Sequence, residues 1–261
     1  MTALLQVSDA HFGTEVPEVV KALRRLIDEL HPDLLVWTGD LTQRARRAQF
    51  EAARAFADSL PVPSVTMPGN HDIPLYNLPQ RLVAPYAHYQ ASFGDELEPE
   101  IEREDLLLLM VKTTRRWRHK HGQLSPTQVQ RVADRLRRAT PQQLRIVATH
   151  QPMEACHVED EHHEVRGPDE ALAVWAEAGC DIVLSGHTHK PHCCAVNAGG
   201  RQLWMVQAGT ALSSRLRAQP NSVNLIHHRA GVPAAEVERW DFVPEQGHFV
   251  RHSVTGLPLQ R

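Results

Sequence analysis

Val62-Pro63-Ser64-Val65-Thr66-Met67-Pro68-Gly69-Asn70-His71-Asp72 is the stretch on which the reading of this chain turns. Its first half, Val62 to Met67, is apolar and predicts a strand. Pro68-Gly69 ends that strand, and an amide, an imidazole and a carboxylate then follow side by side. Such a group is poor core material. It suits a metal site whose ligands stand on loops at strand ends.

Toward the N-terminus the pattern repeats. Leu4 to Ser8 reads as a strand closing at Asp9-Ala10-His11. Pro17 opens a helix with Val19, Val20, Leu23, Leu26, Ile27 and Leu30 at helical spacing, and His31-Pro32-Asp33 breaks it. Leu34 to Thr38 is a short apolar strand of the kind covered on both faces, and it ends at Gly39-Asp40. A helix from about Arg46 to Ser59 turns Phe50, Ala53, Phe56 and Ala57 inward. The first 72 residues therefore read β-α-β-α-β, a parallel arrangement with right-handed crossovers.

Toward the C-terminus, residues 73–105 are punctuated by Pro74, Pro79, Pro85 and Pro99 and read as short helices and a loop. Leu106 to Lys112 is a strand, followed by a basic loop from Thr113 to His121. Ser125, Pro126 and Gln128 form a capping box that starts a helix with Val129, Val132, Ala133 and Leu136 inward. Arg145 to Thr149 is a strand ending at His150, residues 151–168 a loop, and a helix spans about Asp169 to Ala178. The strand Asp181 to Ser185 ends at Gly186-His187-Thr188-His189. Beyond it, His192–Val196, Arg201–Gln207, Ser222–His227 and Val237–Phe242 are short strands joined by turn residues, which predicts antiparallel sheet. No linker is evident, so a single domain over 1–261 is expected.

Composition narrows the classes. With 261 residues, 42% of them hydrophobic, the chain can bury a sizeable core. A formal charge of -3 argues against a dedicated nucleic-acid binder, and 17 histidines are a surplus that suits metal chemistry. Cys156, Cys180, Cys193 and Cys194 fit neither a zinc knuckle nor a disulfide framework. No apolar run approaches ~18 residues, so no membrane span is expected, and the reading is a reducing, cytoplasmic setting. A homodimer is left open.

The strand ends carry the chemistry: Asp9 with His11, then Asp40, then Asn70 with His71 and Asp72, then His150, then His187 with His189. Taken singly, an Asp-x-His or a Gly-Asp is most simply a turn and His150 a satisfied histidine. Taken together they share one position, the carboxyl ends of strands, where open α/β sheets bind ligands. Two further segments are weighed. Arg115, Trp117 and His119 in the basic loop could steer an anion and stack on a base, against the plainer reading of a solvated loop. The acid- and histidine-rich stretch 154–164 could cover the cleft, against the same plainer reading.

In the pattern D-x-H, G-D, G-N-H-(D/E), H and G-H-x-H, Asp9 to His189 resemble the calcineurin-like metallophosphoesterases, most closely their bacterial cyclic-nucleotide-phosphodiesterase-like branch. The resemblance implies a four-layer α/β/β/α sandwich, two mixed sheets flanked by helices, with the active site at strand ends. It implies two divalent ions (Mn, Fe or Zn), one held by Asp9, His11, Asp40 and His189, the other by Asp40, Asn70, His150 and His187. His71 would face the leaving oxygen, and Asp72 would orient that imidazole. The implied activity is hydrolysis of a small phosphoester by metal-activated water, with phosphodiesters and 3',5'-cyclic nucleotides first. Phosphomonoesters and nucleotide or lipid pyrophosphates are the alternatives, although lipid-A-pathway pyrophosphatases of this kind usually carry Arg where His71 stands. A non-catalytic scaffold on the same fold is the non-enzyme alternative.

Overall fold

The computed structural model describes residues 1–154 and 165–261. The first part alternates strand and helix: β1 (Thr2–Val7), α1 (Pro17–Leu30), β2 (Leu34–Trp37), α2 (Arg47–Asp58) and β3 (Ser64–Thr66). Leu5, Val7, Leu35 and Trp37 pack with Leu23, Ile27, Phe50 and Phe56 of the two helices. Leu4, Leu34 and Val36 turn the other way, into an apolar layer shared with a second sheet. A strand covered on both faces has no polar side to present, which accounts for the unbroken Leu34–Trp37 run. β3 is shorter than its sequence suggests because Pro63 has no N–H, and only its carbonyl joins, accepting from the Leu35 amide at 2.9 Å.

A 3-10 turn at Asn70–Asp72 precedes α3 (Leu78–Val83), α4 (Ala87–Phe93), β4 (Glu100–Arg103) and β5 (Leu106–Met110). Then come β6 (Gly122–Gln123), α5 (Pro126–Leu136), β7 (Leu144–Ala148), β8 (Val165–Arg166), α6 (Pro168–Glu177) and β9 (Ile182–Ser185). α5 starts with the expected reciprocal cap: the Gln128 amide donates to Ser125 Oγ at 3.2 Å, and the Ser125 amide donates to Gln128 Oε1 at 3.0 Å. The chain finishes with β10 (His192–Ala198), β11 (Arg201–Gln207), β12 (Ser222–His228), β13 (Ala234–Val243) and β14 (His248–Pro258).

Two six-stranded sheets result, ordered β14-β13-β12-β1-β2-β3 and β10-β11-β9-β7-β5-β4, with β6 and β8 paired separately. Leu107, Leu109, Val147 and Val183 on the far face of the second sheet pack with Val132, Leu136, Leu172 and Trp175 of α5 and α6. The layers are therefore helix, sheet, sheet, helix, the mixed α/β sandwich implied by the resemblance.

The C-terminal third departs from its reading as antiparallel sheet. β11 runs parallel to β9, with Val206 opposite Leu184, while β10 pairs antiparallel with β11 at the edge of the second sheet. β12, β13 and β14 extend the first sheet instead. β4 and β14 were not expected as strands. β4 reads Glu-Ile-Glu-Arg, a charged edge strand, and β14 is mostly exposed, so neither carries a clear apolar alternation. Neighbouring strand residues face opposite ways, so Cys193 packs in the inter-sheet layer and Cys194 against the outer helices, and the two cannot bridge. Cys156 and residues 155–164 of the proposed cover lie outside the described residues. Among the described residues no helix is long and apolar enough to cross a membrane.

Candidate metal centre

β1, β2, β3, β7 and β9 deliver the motif residues to one cleft between the sheets. The backbone there is bent sharply: Asp9 (φ 52°), His11 (45°), Asp40 (51°), His187 (71°) and His189 (62°) all lie in the left-handed region. Each such residue costs on the order of 1–3 kcal/mol and persists only where its surroundings over-determine it. Here the Asp9 amide donates to the Gly39 carbonyl at 3.1 Å and the His11 amide to the Asp40 carbonyl at 3.0 Å. Gly39 is itself at φ 100°, and a Cβ there would fall 2.4 Å from His150 Nδ1. Gly69 has ordinary dihedrals. It is required because a Cβ would fall 2.1 Å from Asp40 Oδ1, so its role is close approach rather than a tight turn.

Two buried triads form: Asp9, His11 and His189, and Asp40, His150 and His187, each with its ligand atoms within 4.8 Å of one another. Asp40 lies between them. Its Oδ2 is 3.7 Å from His11 Nε2 and its Oδ1 is 3.2 Å from His150 Nε2. Asn70 Oδ1 stands 3.1 Å from His150 Nε2. The His11 and His189 rings are parallel, with their Nε2 atoms 3.4 Å apart.

The outward ring nitrogens fix these imidazoles. His150 Nδ1 faces the Thr38 carbonyl at 2.8 Å, and His189 Nδ1 faces Thr210 Oγ1 at 2.5 Å. An imidazole that donates from Nδ1 presents its Nε2 lone pair to a cation. Asp9 Oδ2 accepts from Ser8 Oγ at 2.7 Å and from the His187 amide at 2.9 Å. Its Oδ1 is buried with no hydrogen-bond partner. An orphaned buried carboxylate oxygen calls for an explanation, and a cation within the triad supplies it. The donor set of carboxylates, imidazoles and one amide fits divalent transition ions.

The electrostatics agree. Burial pushes the Asp9 and Asp40 carboxyls up, yet the surrounding imidazoles outweigh it and hold both below the ordinary carboxylate range. Burial lowers His150, and the Asp40 carboxylate more than reverses this, raising it to about 9, so the ring holds a proton that a bound cation would displace. His189 goes the other way, burial lowering it to about 4, which leaves a neutral ring able to bind a metal.

His71 stays outside both triads. Its ring stands edge-on to His11 with centroids 4.8 Å apart, and its Nδ1 faces the Gln43 carbonyl at 2.9 Å. Asp72, expected to orient it, does something else. Its carboxylate accepts from the amides of Leu41, Thr42 and Gly69 at 3.0, 2.8 and 2.9 Å and from Thr42 Oγ1 at 2.8 Å. It thus ties the Gly69 turn to the loop after β2, and it is Gln43 that orients His71. Burial and the Asp40 carboxylate push Asp72 up to about 6.

The basic loop is also corrected in part. Arg115 donates to the carbonyls of Lys112 and Thr114 at 3.1 and 3.0 Å and to Gln128 Oε1 at 2.5 Å, a structural tie to α5. Trp117 lines a separate cavity of about 350 Å³ with Tyr86 and Lys112. His119 is exposed in the same loop, and burial and the Arg81, Lys120 and Arg44 charges lower its imidazole.

Sequence reasoning missed Arg215. Its Nη1 lies 3.0 Å from Gln43 Oε1 and 3.2 Å from His71 Nε2, and its charge acts on Asp40 and Asp9. It sits in the loop after β11. Had β11 been read as parallel, the strand-end rule that found the other residues would have pointed there.

The profile of the calcineurin-like phosphoesterase family matches residues 2–191. UDP-2,3-diacylglucosamine pyrophosphatase LpxG of Chlamydia trachomatis is 37% identical over 76 residues, 28% of this chain and 23% of that protein. The matched stretch therefore spans about a quarter of this relative's length. Among solved structures, purple acid phosphatase PPD1 of yellow lupin (Lupinus luteus) superposes with TM-score 0.75 at 13% identity, covering 99% of this chain and 54% of that one. A dimetal phosphatase from Danio rerio gives 0.71 at 12% identity, with 99% of both chains covered. These two likenesses concern the fold.

Proposed function

The chain belongs to the calcineurin-like phosphoesterase family, and from that premise we propose that it is a metal-dependent phosphohydrolase that hydrolyses phosphodiesters, small cyclic nucleotides among them. The observation that carries the reading is the pair of buried triads meeting at Asp40 beneath two partly exposed groups, His71 and Arg215. Asp9, His11, Asp40 and His189 would hold one ion, and Asp40, Asn70, His150 and His187 the other. Two divalent ions so held would supply a more acidic water and charge neutralisation at the phosphoryl oxygens.

The chain's own residues divide the remaining work. His71, pinned by Gln43 and lowered by burial to about 4, is neutral on its own, and a bound phosphate anion would raise it toward the protonated form that stabilises or protonates the leaving oxygen. Arg215 takes a non-bridging phosphoryl oxygen, a role for which a planar five-donor guanidinium is suited.

A second reading, hydrolysis of a nucleotide- or lipid-linked pyrophosphate, is favoured by the match to LpxG, whose name gives that activity. One panel separates the readings: bis(p-nitrophenyl) phosphate, p-nitrophenyl phosphate, cyclic AMP and a UDP-sugar, each with added Mn. Turnover of the diesters supports the first reading. Turnover of the UDP-sugar alone overturns it in favour of the second.

A further inference from the structure

Beside the cleft stands a lip that the phosphoesterase reading does not use. Tyr76, Leu78, Leu82 and Val83, on and just before α3, are 78, 60, 57 and 84% exposed, and Trp117 is 63% exposed. Few single-chain surfaces present so many large apolar side chains together. The patch is one built unit. The Arg81 guanidinium reaches back from α3 to the Pro74 carbonyl at 2.9 Å and across to the Arg116 and Arg118 carbonyls, both at 2.6 Å. Arg116 returns a hydrogen bond to the Leu82 carbonyl at 2.6 Å. Trp117 is thereby held next to α3.

The lip is also anchored on the centre. Ile73, buried directly after Asp72, leads into it, and Gln151, directly after His150, donates to the Lys120 carbonyl at 3.1 Å. Its charge is one-sided. Residues 73–94 and 106–133 contain no Asp or Glu, in a chain whose formal net charge is -3. Arg116, Trp117 and Lys120 face solvent there, and Arg44 lies over the Tyr76 ring at 5.7 Å.

We propose that this lip docks the protein on an anionic lipid surface, inserting Leu78, Leu82 and Val83 and setting the metal centre against phosphate headgroups. Apolar side chains at the tip, Trp and Tyr at the boundary and Arg and Lys around them are the composition of an interfacial anchor. Glu98 lies beside Trp117, but its carboxylate is taken up by the Lys112 amide, Gln128 and Arg131, and anionic lipid supplies the negative charge that the basic fringe attracts. A nucleic acid fits less well: Trp117 and Tyr76 have faces on which a base can stack, but Leu78, Leu82 and Val83, which make up most of the exposed patch, do not. The proposal goes beyond the phosphoesterase reading, since docking needs no catalysis.

The test is co-sedimentation of the full chain with vesicles of phosphatidylglycerol and phosphatidylcholine, against phosphatidylcholine alone. The expected result is binding to the anionic vesicles that weakens with added salt. Leu82→Glu with Val83→Glu is expected to reduce it at least about tenfold, and Arg116→Ala with Lys120→Ala to reduce it less. Turnover of a soluble diester by the Leu82/Val83 variant should match the parent, which shows that the variant is folded and keeps this result separate from the phosphoesterase reading. Equal binding to both vesicle types, or unchanged binding by the Leu82/Val83 variant, overturns the proposal. So does a parent dimer that this variant splits while vesicle binding persists, because the patch would then be a face between copies of the chain.

Discussion

In the floor of the cleft, each side chain proposed to hold metal is buried, and at five of the seven the backbone itself is sharply bent. On the lip, large apolar side chains stand in solvent and only the backbone beneath them is secured. The floor spends conformational strain at Asp9, His11, Asp40, His187 and His189 to hold atoms in place. The lip shows no such strain in α3, and Arg81 alone bonds three carbonyls to keep it together. One region is built to fix charges relative to each other, the other to present a surface. Substitutions should therefore act on chemistry in the floor and leave chemistry alone on the lip.

The sharpest way to break this comparison is Asp40→Asn. The change keeps the shape but removes the charge that both triads share. Turnover should fall to background, and elemental analysis should show fewer than two bound ions per chain. Two retained ions with activity near the parent would mean that Asp40 does not serve both triads. Next, His71→Ala should keep both ions and lose about 10²–10⁴-fold in kcat, most for substrates with poor leaving groups. Arg215→Ala follows, at about 10²–10³-fold, the cost of removing one preorganised donor from a developing charge. Arg215→Lys should recover only part of that, because a single ammonium lacks the second guanidinium nitrogen left for a phosphoryl oxygen while Nη1 stays on Gln43 and His71.

The three residues differ in how legible they were. Asp40 was readable because a strand ending in Gly-Asp repeats a rule obeyed by every other ligand. His71 was readable as a residue but not in its setting. Adjacency in the chain suggested Asp72 as its partner, whereas the 3-10 turn sends the Asp72 carboxylate back to the Gly69 amide and across to Leu41 and Thr42. Arg215 was not readable, because the direction of β11 is decided by its pairing with β9 and not by anything within Arg201–Gln207. The same limit hid the packing of the C-terminal strands into two sheets. Arg115 misled for a related reason: a basic loop looks free in sequence, and only the fold supplies the carbonyls and the Gln128 oxygen that occupy it.

Asp72→Asn sharpens the boundary between holding and reacting. An amide can accept from some of the Leu41, Thr42 and Gly69 amides, but it also brings N–H groups toward donors. The expected cost is about 1–3 kcal/mol of stability, read as a lowered urea midpoint. Activity at saturating metal should fall by about 10–100-fold, the usual effect of a residue that supports ligands without being one. A loss as large as that of His71→Ala would move Asp72 into the chemistry.

Arg81→Ala should have the smallest effect on turnover and the clearest one on the lip. It leaves the carbonyls of Pro74, Arg116 and Arg118 without their shared donor, so α3 and the loop 113–121 lose their common tie. These segments then open locally at low free energy, as weakly packed surface units do. Hydrogen exchange across residues 74–84 and 114–120 should quicken, while the amides of β1, β2, β7 and β9 stay protected. Because the floor's ligands are oriented by Thr38, Thr210, Ser8 and the His187 amide, none of which belongs to the lip, hydrolysis of a small soluble diester should be unchanged. A parallel loss of activity and of metal would mean that the lip braces the centre, and the division between the two regions would not hold.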